Sequence, residues 1–368
     1  MLKTIKIICS ILLVISILSI YTLTAFSYDY GTIDLDRMVS VKESDMCEIH
    51  SINRENINRL KNTKLSLYKE KTDTEKLKEL FSALDLELSD AQFETATKDL
   101  QLEHIESIRI ETTYSKEDSE GKQTPVSKDE AMQIAEQEKA DLLNGNAIRR
   151  REIPSNTRAL NNGHSGNIIY STDGCMKQQI AVIYTPNYHG TGTTIGRYVV
   201  FGTCQWLKTP DTRSKDAISL CSSDFKWANI DYNNPSYSLL VSYTEYVYDS
   251  NSNLVSQDTL NDAYDDHAVT ISEYLGAYFE YNLPNNKFLR PIIYGDISFL
   301  MVGVCRVDDY DDDTQEISVG MRYIHLKRGL SFAASYSITS AGLSVSEKNW
   351  PVYYDSSYSW DYVTDYYA

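Results

Sequence analysis

From Ile168 to Ala368 the hydrophobic period is two rather than three to four, and that alternation limits what this half of the chain can form. Alternating runs occupy Cys175–Tyr184, Ile195–Leu207, Tyr237–Tyr248, Leu254–Thr259, Thr270–Tyr281, Phe299–Val307, Glu316–Leu326 and Leu330–Val345. Turn-forming residues separate them at Asp173-Gly174, Asn187 to Gly190, Asp249 to Asn253, Pro284 to Asn286 and Lys327 to Gly329. Side chains at period two point to opposite faces of a pleated strand, so each run has an apolar face to bury. About eight such runs predict an antiparallel β-sandwich over residues 168–368. Several are apolar on one face only, the pattern of strands whose other face meets water. Of the 28 tyrosines, 23 lie after residue 160, and tyrosine suits half-buried pleated surfaces.

The preceding region reads differently. Between Ile52 and Leu102 apolar residues recur at helical spacing, most clearly Leu77, Leu80, Phe81, Leu84 and Leu88. Capping boxes mark helix starts at Thr72 with Glu75, Ser89 with Gln92 and Ser127 with Glu130. Alternation over Ile105–Tyr114 adds one strand, and a helix from Lys128 to Leu143 follows. Residues 28–143 are therefore expected to form a small, mostly helical α+β module. Residues 144–167, dominated by Asn, Gly, Ser and Pro, without period and carrying the tribasic stretch Arg149-Arg150-Arg151, are expected to link it to an all-β antiparallel sandwich domain at 168–368.

The first 27 residues read as a secretion signal. Lys3 and Lys6 precede an apolar stretch from Ile7 to Ile20, and Ala25 and Ser27 supply the small residues of a cleavage site. Retention as an N-terminal anchor is the alternative, since the stretch approaches the roughly 18 residues that span a bilayer. Cys9 lies at the start of the apolar stretch and not after it, which is the wrong place for a lipid-modified cysteine. Loss of Lys3 and Lys6 takes the formal charge from −17 to −19. That balance opposes nucleic-acid binding and adsorption to anionic lipid, both of which need clustered Lys and Arg.

Two stretches carry a resemblance. One combines L-K-E-L-F-S-A-L at 77–84, I-R-I-E-T-T-Y-S at 108–115 and P-V-S-K-D-E-A at 125–131. The other begins at Asp173-Gly174 and includes W-L-K-T-P-D-T-R-S-K-D at 206–216, a W-L-K-x-P-x-x-R-x-x-D pattern. Together they resemble uncharacterised secreted proteins of Gram-positive, clostridial-type bacteria. The resemblance implies export and the same order of modules, and brings no activity or fold. It also implies an aromatic residue where this chain has Cys175. In physical terms, Pro210 ends a strand after Trp206, and Arg213 is placed to reach Asp216 and fix a crossing between strands. A surface Trp and Arg forming a binding hot spot is the alternative.

Export leaves Cys47, Cys175, Cys204, Cys221 and Cys305. Cys204 and Cys221 each close a strand-like run and are the candidate disulfide, against the alternative of small apolar core residues. Cys47 and His50 read C-x-x-H, only two of the four ligands of a structural zinc site. Asp309, Asp311 and Asp313 lie in an acidic run and are weak calcium candidates, lacking the glycine and distal glutamate of an EF-hand loop. Asp262, Asp265 and Asp266 form a smaller group.

Catalytic signatures are sparse. Gly163-His164-Ser165-Gly166-Asn167 misses the G-x-S-x-G elbow at its last position, and the six histidines are scattered. No phosphate loop or dinucleotide fingerprint occurs, and no cofactor is implied. The sequence points away from enzymes and toward a secreted or cell-surface interaction protein whose β domain binds a glycan or protein. A membrane-active β protein, suggested by alternation over Leu330–Leu343, and an extracellular hydrolase are the alternatives.

Overall fold

The computed structural model describes residues 34–44, 47–63, 70–98, 100–117, 123–147, 174–185, 197–209, 215–221, 237–265, 270–272, 276–284, 291–306, 314–326, 335–339, 342–346 and 353–365. The secretion segment, the tribasic stretch at 149–151, Arg213 and the run Asp309 to Asp313 lie outside them.

Strands β1 (Ser40–Ser44) and β2 (Cys47–Ile52) precede helices α1 (Arg54–Lys61), α2 (Asp73–Ala83) and α3 (Asp90–Thr97). Strands β3 (Ser107–Glu117) and β4 (Gln123–Pro125) and helix α4 (Lys128–Leu143) follow. Thr72 and Ser89 form reciprocal capping boxes with Glu75 and Gln92. Ser127 caps α4 by accepting from the Glu130 amide. The second half contributes β5 (Cys175–Tyr184), β6 (Arg197–Lys208), β7 (Lys215–Cys221), β8 (Tyr237–Tyr248), β9 (Leu254–Asp265), β10 (Thr270–Ser272), β11 (Gly276–Asn282) and β12 (Ile292–Arg306). It ends in β13 (Thr314–Leu326), β14 (Ser335–Thr339), β15 (Gly342–Ser346) and β16 (Tyr353–Asp365).

Nine strands form one antiparallel sheet in the order β1-β2-β3-β5-β6-β12-β8-β9, with β4 added to β3. A second sheet runs β10-β11-β7-β13-β16, and among the described residues β14 pairs with β15 alone. The run expected as one strand over Leu330–Val345 is thus divided between two five-residue strands that pair with each other. Each is about half the length of a membrane-crossing strand.

The expected helical N-terminal module is overturned by this topology. β3 pairs with β5 along the whole of β5, from Ser107 against Tyr184 to Lys116 against Cys175. The N-terminal strands are therefore part of the large sheet, and the helices are a layer laid on it. Alternation assigns the two faces. Ile108, Ile110, Ala181, Ile183, Val199, Phe201, Leu300 and Val302 pack against Leu77, Leu80, Phe81 and Leu84 of the helical side. Their neighbours in sequence, among them Ile180, Val182, Val200, Phe299 and Met301, pack against Ile218, Leu220, Phe279 and Met321 of the second sheet. Along β5 every residue but Tyr184 is buried, because both of its faces are covered.

Helix α4 lies across the same side. Tyr248 donates to the Leu142 carbonyl at 2.6 Å, and Lys139 donates to the Tyr246 hydroxyl at 2.7 Å and to Asp296 at 3.0 Å. Gly202 on β6 faces the second sheet, where an added Cβ would stand 2.8 Å from both Leu220 and Met321.

A chain begun at residue 168 would bare the long edge of β5 and the apolar face built on Ala181, Ile183, Val199 and Phe201. It is expected to aggregate or to melt without a cooperative transition, as read by size exclusion and thermal unfolding. A soluble fragment melting like the full chain would show the second half to be self-sufficient.

Candidate functional site

The W-L-K-x-P-x-x-R-x-x-D pattern spans the point where the chain leaves the large sheet at the end of β6 and enters the small one at β7. Its Trp206 and Asp216 meet through a residue outside the pattern. The Tyr323 hydroxyl on β13 accepts from Trp206 Nε1 at 3.0 Å and donates to Asp216 Oδ2. His325 Nδ1 lies 2.8 Å from Asp216 Oδ1, and the His325 ring stands edge-on to Trp206. Asp216 and Tyr323 are fully buried and His325 is 1% exposed. Burial, and then the Asp216 charge, hold the Tyr323 hydroxyl well above its ordinary value. Trp206 is 2% exposed, so it is part of the interior and not a surface hot spot. Gly174 packs flush on it, with room for no Cβ: one would meet the ring at 2.8 Å.

From this cluster a row of aromatic rings runs between the sheets to the surface. Tyr323 contacts Phe299 at 5.1 Å, Phe299 contacts Tyr281 at 5.8 Å, and Tyr281 contacts Tyr264 at 6.0 Å. The last two contacts are edge-to-face, the preferred aromatic geometry. The row ends at the edge strand β9. There Tyr281 donates to Asp262 Oδ2 at 2.7 Å, tying the small sheet to the large one. Tyr243 bonds to the same carboxylate and sets its ring edge-on to Tyr294 at 5.8 Å. Burial, reinforced by the Asp262 charge, raises the hydroxyls of Tyr243, Tyr264 and Tyr281.

Tyr243 and Tyr264 are only half-buried, and Asp262 between them is partly open to solvent. Two aromatic rings therefore flank a carboxylate on an exposed edge, where Val255 and Leu260 are also uncovered. A carboxylate has about four acceptor positions, so two tyrosine donors leave capacity for a ligand's hydroxyls. Asp262 belongs to the small acidic group noted in the sequence. The tyrosines around it come from β8, β9, β11 and β12, and no local spacing links them.

Cys204 and Cys221, the candidate disulfide, are both free thiols. Cys204 Sγ on the large sheet lies 3.8 Å from Met321 Sδ, while Cys221 on the small sheet donates to the Gly320 carbonyl at 3.3 Å. Cys175 is buried beside Tyr114 and Ala131. The calcium candidates Asp309, Asp311 and Asp313 lie outside the described residues.

Asp216→Ala removes the shared partner of Tyr323 and His325 and is expected to cost about 3–5 kcal/mol in urea unfolding. A loss below about 1 kcal/mol would mean that the cluster does not hold the sheets. Burial also raises the Cys175 thiol to about 12 and Cys221 to about 11, from an ordinary 9.0. Their contribution is complete below pH 9 and lost as pH rises toward 11 to 12, because the unfolded chain gives up those protons first. Urea midpoints measured at pH 8 through 11 should therefore fall above pH 9; a rise would contradict the assignment.

No family model matches the chain, and no curated protein matches it. Among solved structures it is similar to Clostridium perfringens delta-toxin at 9% identity, over 50% of this chain and 84% of that one. The TM-score is 0.23, a superposition too loose to carry fold or function across.

Proposed function

We propose that the chain is an exported, non-enzymatic recognition protein whose β sandwich binds a glycan at the Tyr243–Asp262–Tyr264 edge. The observation that carries this is the pair of half-buried tyrosine rings set on either side of a solvent-reaching carboxylate. Sugars present flat C–H faces that pack on aromatic rings, and hydroxyls that donate to carboxylates. The rings are held in place by edge contacts to Tyr281 and Tyr294 behind them, so little side-chain freedom is lost on binding. The hydrophobic, lysine-flanked start of the sequence supports export. The acidic balance supports a neutral partner over a phosphate-bearing one.

By contrast, the Asp216–His325 pair is sealed between the sheets and offers a substrate no approach. Its geometry supports a role in holding the strands.

A glycan array probed with the full chain should return a defined set of bound sugars. Tyr264→Ala should weaken the best of them at least tenfold, equivalent to about 1.4 kcal/mol, while leaving the fold intact by circular dichroism. An array without binders, or an unchanged affinity in the variant, would overturn the proposal.

A further inference from the structure

On β2 the pleat separates two residues that the sequence sets three apart. Cys47 donates to Glu111 Oε1 at 2.9 Å on one face. Glu48 and His50, two apart, share the other face, with His50 Nε2 3.6 Å from Glu48 Oε2. Asp85 reaches the same place from the end of α2. The chain leaves that helix through a Schellman turn, in which Leu86 N–H bonds to the Phe81 carbonyl at 2.9 Å and Asp85 N–H to the Ser82 carbonyl at 3.0 Å. Asp85 takes the left-handed position, φ 58°, that glycine ordinarily fills at lower steric cost. What aspartate adds there is a carboxylate directed at Glu48 and His50.

Ligand atoms of Glu48, His50 and Asp85 all lie within 4.8 Å of one another. Beside them are buried polar atoms with no hydrogen-bond partner. Both ring nitrogens of His50 are of this kind, as is the hydroxyl of Tyr114, a residue 3% exposed. The charged neighbours of that hydroxyl are Lys128, Asp85, Glu48 and Glu87. Leaving such groups unsatisfied is costly, and a bound ion or its water would relieve that cost. The carboxylates are bridged by the Lys128 ammonium, 2.9 Å from Glu48 Oε2 and 3.3 Å from Asp85 Oδ2. Lys128 is 40% exposed and its stem is flexible, so this cation is replaceable.

We propose that Glu48, His50 and Asp85 form a binding site for a divalent transition metal of the zinc class, which enters by displacing the Lys128 ammonium. An imidazole nitrogen with two carboxylate oxygens suits such an ion, whereas calcium and magnesium prefer all-oxygen sets. Bond lengths of about 2.0–2.2 Å call for ligand atoms roughly 3.4 Å apart. Rotation of the two carboxylates supplies the needed contraction once the ammonium has gone. The fourth position falls to water, the position that open zinc sites leave to solvent.

The test is titration of the full chain with Zn²⁺ by calorimetry and with Co²⁺ by visible absorption. One zinc per chain should bind at this site, with affinity at least tenfold weaker in His50→Ala and in Asp85→Asn. Lys128→Gln should bind zinc several-fold tighter, a gain that damage to the fold would not produce. Bound Co²⁺ should show d–d bands without a thiolate charge-transfer band. The proposal is overturned by no zinc binding at millimolar metal, by wild-type affinity in His50→Ala, by no gain in Lys128→Gln, or by a thiolate band.

Discussion

A carboxylate deprived of water is tolerated only where other groups replace its hydration, and Asp216 has no exposed surface at all. Tyr323 and His325 supply that replacement from β13, and Trp206 of β6 holds Tyr323 in position. The participants come from both sheets, so the bonds set how one sheet sits on the other. Apolar packing rewards burial over a range of alignments, whereas a buried polar group left unpaired costs about 1–3 kcal/mol. The two sheets are thus held to one alignment at the point where the chain crosses between them. The aromatic row through Phe299 and Tyr281 extends this rigid region to the surface, where Tyr264 and Asp262 stand on the edge strand.

The large sheet has a layer on each side, and this explains the helices. Its middle strands carry apolar residues at both parities, Ile180 and Val182 toward one layer and Ala181 and Ile183 toward the other. A sheet of that kind must be covered twice. The second sheet covers one face and α2 with its neighbours covers the other. The polar group of Glu48, His50, Asp85 and Lys128 lies beyond the margin of the helix-side core, where β2 outruns the apolar packing.

Much of this was legible in the sequence, and the gaps have physical causes. Capping boxes at Thr72 and Ser89 are local chemistry and could be read directly. So could most strands of the second half, because alternation is also local. Strands β1 and β2 were not, being short and polar, β1 exposed throughout and β2 only half-buried. β7 was legible only by its end, as the strand-like run that Cys221 closes. The pairing of β3 with β5 joins residues some 70 positions apart, and period reveals which face a strand buries without revealing its neighbour. The same limit applies to the sites. Asp262 was visible as one of an acidic group, but its tyrosines converge only in space. His325 did leave a signal, sharing the inward parity of Met321 and Tyr323. Glu48 and His50 left another, two apart on a strand, but it was overshadowed by the C-x-x-H spacing that the pleat divides.

The pairing of β3 with β5 also orders events in time. During synthesis β3 is complete well before its partner emerges, and its open edge can be closed only after the segment that separates them has been made. Contacts this distant in sequence slow folding, and an unpaired edge invites association with other chains in the interval. The helices laid against Ile108 and Ile110 are made before β5, so they are available to shelter the face of this strand while its edge waits. The N-terminal helices thereby act as a temporary cover for a sheet that does not yet exist.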